Sequence, residues 1–149
     1  MQAILGLTKE SKRQMKISRS KEIKKLDAAM SKYVRYSSAG KDGLVSCYTC
    51  GVKKPPKELH NGHFVTRSKY STRWLYDEEN NLYNCKPQCP ACNLFKQGNS
   101  WEYGRRLDQD YGAGTAEKIV LMSNQTVKFS TNEIIEMRKA YEAKFNELH

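Results

Sequence analysis

The stretch Cys89-Pro-Ala-Cys92 repeats the spacing of Cys47-Tyr-Thr-Cys50, with 38 residues between the two pairs. Each pair can present two thiolates to one tetrahedral zinc ion, and two pairs complete its four ligands. The separation exceeds that of the usual zinc ribbon, but doubling a loop costs only about 0.6 kcal/mol in closure entropy. Because four thiolates leave no open position, we expect a structural zinc. Redox dithiols are the rival interpretation, which two matched pairs disfavour.

The fifth cysteine, Cys85, is left over from this pattern. It is either a buried thiol or an alternative ligand in Cys85-x-x-x-Cys89. The first residues lack a secretory signal layout, and no run approaches the roughly 18 apolar residues of a membrane helix. We therefore expect a cytoplasmic protein, in which reduced thiols bind metal rather than form disulfides.

The net charge of +10 is concentrated at one end of the 149 residues. Residues 1–41 hold eleven Lys or Arg against three acidic residues, whereas residues 42–149 hold fifteen against thirteen. A basic block of this kind is typical of a polyanion binder. A solvated tail is the alternative. Membrane-surface binding is disfavoured because the block holds few bulky apolar side chains.

Hydrophobic spacing predicts an α+β fold with one domain, residues 18–149, behind a flexible basic arm, residues 1–17. Apolar residues recur at helical spacing between Ser18 and Ser38, so a basic helix should precede the core. In the core, residues 44–111, short β-prone pieces alternate with turn residues and two helices follow. The predicted pieces are Leu44-Val45, His63 to Thr66, Arg73 to Tyr76 and Leu82-Tyr83, and the helices are Pro90 to Gln97 and Asn99 to Tyr111.

Capping residues mark the later helices. Asn99, with Glu102 three residues on, predicts one N-terminus, and Ser130 with Glu133 forms a capping box at another. The C-terminal helical part, residues 112–149, should hold two helices, at 115–122 and from Thr131 to Leu148.

Two of the three histidines fall in His60-Asn61-Gly62-His63, inside the loop that the cysteine pairs would close. A single His on a strand is more often structural, but two in four residues of a basic protein favour chemistry. A neutral imidazole accepts a proton from water, and its ordinary pKa of about 6.5 suits a general base. Hydrolysis of a phosphodiester also requires a cation, and hydrated Mg²⁺ needs only one or two protein groups.

His63, Asn84 and Asn93 follow one another in the order of the HNH signature, with the last two flanking Cys89-x-x-Cys92. The chain thus resembles the zinc-containing HNH, or ββα-metal, nucleases. The resemblance implies a zinc-bound ββα core behind a basic N-terminal helix and before C-terminal helices. It implies that His63 is the general base, that Asn84 braces the hairpin loop through backbone hydrogen bonds, and that Asn93 stands at a metal-ligand position.

The same resemblance implies a catalytic divalent metal, Mg or Mn, besides the structural zinc. Many HNH proteins have a further ligand directly before the base, where this chain has Gly62. His60 is the natural substitute, and it would share the metal with Asn93. Gln97 and Asp77 are outside candidates.

A longer series of motifs covers residues 24–111. They are Lys25-Leu-Asp-Ala-Ala-Met-Ser-Lys-Tyr-Val-Arg35, Cys47-x-x-Cys50-Gly51, His60-x-Gly-His63-Phe64 and Asn84-x-x-x-Gln88-Cys89-x-x-Cys92-Asn93-x-x-Lys96-x-Gly98-Asn99, with Tyr103. Together they resemble the lambda NinG (Rap) family of phage recombination proteins. That resemblance implies an enzyme of the host cytoplasm that cuts branched DNA such as Holliday junctions and D-loops.

Basic side chains spread over the chain are candidates to hold DNA phosphates, and solvated surface is the alternative for each. They are Lys21, Lys24, Lys25, Lys32, Arg35, Arg67, Lys69, Arg73, Lys96, Arg105 and Arg106. Tyr70, Trp74 and Tyr76 lie among them and belong either to the core or to a surface that stacks on unpaired bases.

These patterns predict a metal-dependent endodeoxyribonuclease with His60, His63, Asn84 and Asn93 at its catalytic site. A homodimer joined through the last helix would suit an enzyme that makes two cuts. The rival functions are a non-catalytic zinc-stapled DNA-binding module and an HNH nuclease acting on linear duplex. Charge alone does not separate DNA from RNA.

Overall fold

The computed structural model describes residues 8–148, apart from the side chains of residues 10–18. Helix α1 spans Lys9–Ser37, so it begins nine residues before the predicted Ser18. The added turns are rich in Lys, Glu, Gln and Met, which favour a helix without an apolar stripe. Residues 1–7 of the predicted arm lie outside the described residues, and the backbone from Lys9 onward belongs to α1.

The described strands form three two-stranded antiparallel sheets. They are β1 (Val45–Ser46) with β2 (Lys53–Lys54), β3 (His60–His63) with β6 (Cys85–Gln88), and β4 (Tyr76–Asp77) with β5 (Leu82–Tyr83). The β3–β6 register pairs His60 with Gln88 and His63 with Cys85. The long connection between these two strands holds one helical turn, α2 (Tyr70–Arg73), and the β4–β5 hairpin.

Two predicted strands are displaced. The strand predicted from His63 to Thr66 ends at His63, because Phe64 donates from its backbone amide to the Asn84 carbonyl and the chain then turns away. The strand predicted from Arg73 to Tyr76 is wrong for its first residues, since Arg73 ends α2 with its amide bonded to the Lys69 carbonyl.

The predicted helix from Pro90 to Gln97 is a short π-helical turn, Ala91–Phe95. It stops there because Gln97, Gly98 and Asn99 have φ angles of 50°, 83° and 51°. Three further helices follow: α3 (Ser100–Tyr111), α4 (Thr115–Ser123) and α5 (Thr131–Asn146).

Asn99 is the N-cap residue of α3, as predicted, but the predicted side-chain capping there is wrong, whereas the capping at α5 is confirmed. Left-handed Asn99 makes no side-chain cap, and Glu102 pairs with Arg105 instead. At α5, the Glu133 amide donates to Ser130 Oγ at 3.1 Å and the Ser130 amide donates to Glu133 Oε1 at 3.0 Å.

Apolar side chains are buried in three clusters. The first joins α1 and α5 through residues including Leu26, Met30, Val34, Trp74, Ile134 and Tyr141. The second surrounds the cysteine pairs with Val45 and Leu59, and the third holds Tyr48, Leu82, Tyr103, Leu107 and Ile119. Because α1 packs on both α5 and the β3–β6 sheet, its side chains reach the histidine-bearing strand. Among the described residues, no helix combines the length and apolar character required to cross a bilayer.

Candidate metal centre and histidine cleft

The four paired cysteines converge, as the spacing predicts. The sulfur atoms of Cys47, Cys50, Cys89 and Cys92 all lie within 4.8 Å of one another, and the Cys50 and Cys89 sulfurs are 3.7 Å apart. A tetrahedral zinc with bonds of about 2.3 Å would separate its sulfur ligands by about 3.8 Å. The cluster can therefore hold a metal ion, and its donor set is that of a structural zinc.

A backbone hydrogen bond shapes each half of the cluster. In the first, the Gly51 amide donates to the Cys47 carbonyl at 2.9 Å, and the φ of 81° at Gly51 allows the tight turn. In the second, the Asn93 amide donates to the Cys89 carbonyl at 2.9 Å. Burial raises the pKa of the Cys47 thiol, but hydrogen bonds from the Thr49 hydroxyl and nearby backbone amides lower it by more. Together these effects bring the pKa to about 6. Cys47 is thus prepared to be a thiolate, the form that binds zinc.

Cys85 lies outside the metal cluster. It is fully buried, with its sulfur 3.9 Å from Met30 Sδ and 3.5 Å from the Arg73 carbonyl oxygen. Burial raises the pKa of this thiol, which keeps it protonated. Of the two interpretations of Cys85, the buried thiol is the one that fits.

Gln88 connects the metal cluster to the histidine strand. Its Nε2 donates to Thr49 Oγ1 at 3.1 Å and to the Gly98 carbonyl at 2.7 Å, and the side chain is fully buried. A Cβ added to Gly62 would lie 2.0 Å from Gln88 Oε1. The residue before His63 is therefore glycine because the glutamine occupies the space of a side chain.

One cleft of about 400 Å³ brings together His60, His63 and Asn93. Its other lining residues come from α1, β3, the residue before β3 and the loop after it, namely Asp27, Ser31, Arg35, Leu59, Asn61 and Arg67. We call this cavity the histidine cleft. It lies against the metal cluster because Asn93 directly follows Cys92.

The His63 imidazole is oriented by a backbone carbonyl. Its Nε2 lies 3.0 Å from the carbonyl oxygen of Arg73, and because a carbonyl only accepts, Nε2 must carry the proton. The lone pair is then on Nδ1, which has no hydrogen-bond partner among the described residues. Burial lowers the pKa of His63, so the ring is a neutral base at physiological pH.

Asn84 is fully buried and holds the loop that follows His63. Its Oδ1 accepts from the Val65 amide at 2.8 Å, and its Nδ2 donates to the carbonyls of Val65 at 3.0 Å and Thr72 at 2.9 Å. These bonds join the start and end of the segment that leads to Arg73. Asn84 therefore supports the loop and does not line the cleft.

His60 and Asn93 form a pair at the cleft, with His60 Nδ1 2.9 Å from Asn93 Nδ2. An asparagine carries oxygen and nitrogen on one fork, so a half-turn of the amide would present Oδ1 at that place. Neighbouring ligands of an octahedral Mg²⁺ with bonds of 2.0–2.1 Å lie about 2.9 Å apart. The two side chains are thus close enough for both to reach one divalent ion, which they could hold only if the hydrogen bond between them were given up. Gln97 and Asp77 do not line the cleft.

Asp27 is a cleft residue that sequence reasoning did not select. Its Oδ1 accepts from Arg73 Nε at 3.1 Å and from Trp74 Nε1 at 2.8 Å, and its Oδ2 accepts from Arg73 Nη2 at 2.5 Å. It therefore holds in place the residue whose carbonyl orients His63. The available signal was its isolation, because Asp27 is the one acidic residue between Glu22 and Asp42.

The predicted DNA-binding cations do not share one surface. Arg35 and Arg67 line the histidine cleft, while Lys25 and Lys32 line a separate cavity between α1 and α5. Lys24 and Arg73 line a second cleft together with Arg67, and Arg73 pairs with Asp27. The others are dispersed: Arg105 pairs with Glu102 and Arg106 with Asp110, Lys69 borders a cavity beside α4, and Lys21 and Lys96 are exposed.

The three aromatic residues proposed for base stacking are also separated. Trp74 is 6% exposed and belongs to the main core, which excludes it from stacking on bases. Tyr76 packs edge-on against Tyr83, with ring centroids 4.7 Å apart. Tyr70 is half-buried at a second cleft beside the first.

These features define a mixed α+β protein in which a four-cysteine metal site adjoins a cleft lined by two histidines. The model of the Bacteriophage Lambda NinG protein family matches residues 7–149, and the chain belongs to this family. No curated protein and no solved structure matches it.

Proposed function

We propose that the protein is a metal-dependent HNH-type endonuclease that cuts branched DNA during phage recombination. The observation that carries the proposal is the meeting, in one cleft, of an oriented neutral His63 with the His60–Asn93 pair. A base and a cation site side by side are the two requirements of phosphodiester hydrolysis. The family is a bacteriophage one, and the recombination role is inferred from the resemblance of the motifs.

His63 supplies the base in this mechanism. Water attacks phosphorus as its proton passes to Nδ1, and the bond from phosphorus to the departing sugar oxygen breaks. That oxygen takes a proton from solvent water, so a phosphomonoester and a hydroxyl result, and Nδ1 then releases its proton to solvent. Nε2 keeps its proton on the Arg73 carbonyl, which holds the ring and stabilises the imidazolium. A divalent cation held by His60 and Asn93 would neutralise the phosphate and the departing oxygen.

Charge supports a nucleic acid as the substrate. The chain carries +10, and Arg35 and Arg67 line the cleft itself. Cations beside the histidines would hold the phosphates that flank the scissile one. The specificity for branched DNA rests on the family resemblance, and a comparison of branched with linear DNA tests it.

Cleavage of a four-way junction should be compared with cleavage of a linear duplex of matched sequence, in Mg²⁺, Mn²⁺ or EDTA. We expect metal-dependent nicks near the branch and slower cutting of the duplex. Equal cutting of both would indicate an HNH nuclease for linear DNA. Tight junction binding without cutting in either metal would leave a zinc-stapled DNA-binding module.

A homodimer joined through α5 would supply the two cuts that resolution of a junction needs. The apolar residues Ile134 and Tyr141 of α5 are already buried against α1 and its neighbours. Light scattering with and without junction DNA tests it, and a monomer under both conditions would remove it.

A further inference from the structure

A second cleft, of about 500 Å³, opens next to the histidine cleft. Its lining includes four cations, Arg19, Lys24, Arg67 and Arg73, together with Tyr70 and Asp27. We call it the flanking cleft. Asp27 and Arg67 line both cavities, so the two adjoin.

A single row of α1 borders both clefts. Arg19, Ile23, Asp27, Ser31 and Arg35 are spaced by four residues, so they form one ridge that winds obliquely around the helix by about 40° at each step. At 1.5 Å per residue this row is about 24 Å long. Successive phosphates of one DNA strand in a duplex are about 3.4 Å apart along the axis, so the row spans several of them.

The cations of the flanking cleft retain positive charge. Arg73 is neutralised by Asp27, but in the part of the chain that the structure describes neither Lys24 nor Arg67 takes part in an ion pair. Arg19 donates to the carbonyl oxygen of Phe129 at 2.8 Å, a partner that does not remove its charge. The cleft therefore presents three uncompensated cations beside the histidine cleft.

The adjacent cations of α1 face elsewhere. Lys25 pairs with Glu22 at 3.4 Å, and Lys32 Nζ lies 4.4 Å from the centroid of the Phe145 ring. Both line the cavity between α1 and α5. The helix thus separates its cations into one set that leads to the histidines and another that does not.

We propose that the two clefts form one groove, and that the flanking cleft binds the phosphates of the DNA strand on one side of the scissile phosphate. This inference rests on the proposed function, because it places the cut in the histidine cleft. Lys24, Arg67 and Arg19 bind the phosphates, and the Asp27–Arg73 pair lies at the junction of the two clefts.

The test compares Lys24→Gln and Arg67→Gln with Lys25→Gln, which removes the same charge one residue along the same helix. Junction affinity is measured against salt concentration, with Ca²⁺ in place of Mg²⁺. The plot of log K against log salt should become less steep by about 1 for each of the first two variants. For Lys25→Gln the slope should stay at the wild-type value.

A second arm uses junctions in which one phosphate at a time is replaced by an uncharged methylphosphonate. Binding by the wild type should weaken at positions on one side of the cut. At one of these positions the methylphosphonate should not weaken binding by Lys24→Gln any further. The variant has already lost the lysine charge that contacts this phosphate. Equal salt slopes for Lys24→Gln and Lys25→Gln would overturn the groove. If the salt slopes and the methylphosphonate effects are as expected but the wild type never cuts, the groove stands and the proposed hydrolysis fails.

Discussion

The backbone carbonyl of Arg73 lies 3.0 Å from Nε2 of His63, and the side chain of the same Arg73 is held by Asp27. Arg73 therefore links α1 to the proposed base, because its side chain binds Asp27 of α1 and its backbone carbonyl accepts from His63 Nε2. Because Nε2 is held by this carbonyl, the imidazole has one fixed tautomer, with its lone pair on Nδ1. The long connection between β3 and β6 folds back so that a residue ten positions later orients the histidine.

Replacement of Asp27 by Asn should slow cleavage without a comparable loss of junction binding. The variant removes the charge that pairs with Arg73, and a displaced Arg73 carbonyl would misorient His63, for which a reduction of about tenfold or more in rate is expected. Single-turnover rates at saturating junction measure it. Glu102→Gln, which breaks an exposed ion pair on the surface of α3, is the matched control. Equal rates for the two variants would exclude the positioning role.

The cleavage rate should rise with pH and reach its plateau before the pH becomes neutral. His63 acts only as the neutral imidazole, and its pKa is lowered by burial and by the charges of Arg67 and Arg73, against opposing effects of the Arg73 carbonyl and Asp27. The midpoint should therefore lie below the ordinary histidine pKa of about 6.5. Single-turnover rates between about pH 5 and 8 give the profile. In Asp27→Asn, the loss of the negative charge should move the midpoint lower still. A midpoint above the ordinary value would contradict this assignment.

Replacement of one cluster cysteine should release the metal and lower the stability of the protein, whereas replacement of Cys85 should leave the metal bound. We expect one zinc per wild-type chain, loss of that zinc in Cys89→Ser, and a fall in unfolding temperature of about 10 °C or more, because structural zinc contributes about 10 kcal/mol or more to folding. Cys85→Ala should keep one zinc, since Cys85 lies outside the cluster. Metal analysis and thermal unfolding provide the readouts. Stoichiometric zinc in Cys89→Ser would show that the four-thiolate site is wrong.

Local signals in the sequence predicted the features that depend on short spacing. The structure contains the Cys-x-x-Cys pairs, the Ser130–Glu133 capping box and the last helix. Each of them depends on residues a few positions apart in the sequence. The His60–Asn93 meeting followed from the resemblance to a known motif order. Features of this kind are encoded close together in the chain or in a recognisable order.

Relationships across long separations were not predictable from the sequence. Asp27 reaches Arg73 over 46 residues, and no periodicity in either segment indicates the pairing. Gly62 seemed only to lack a ligand, whereas its small size is required by Gln88, a neighbour on the paired strand β6. The capping at Asn99 failed for a similar reason, because the turn at Gln97 to Asn99 is set by hydrogen bonds such as that from the Gly98 amide to the Cys92 carbonyl.

Cleavage of a four-way junction by the wild type and by His63→Ala, in Mg²⁺ or Mn²⁺, tests the proposed hydrolysis most directly. We predict that the variant cuts about 10² to 10⁴ times more slowly, binds the junction with unchanged affinity and retains its zinc. Undiminished cutting by His63→Ala, or an inactive wild type that still binds the junction tightly, would contradict the assignment of His63 as the base.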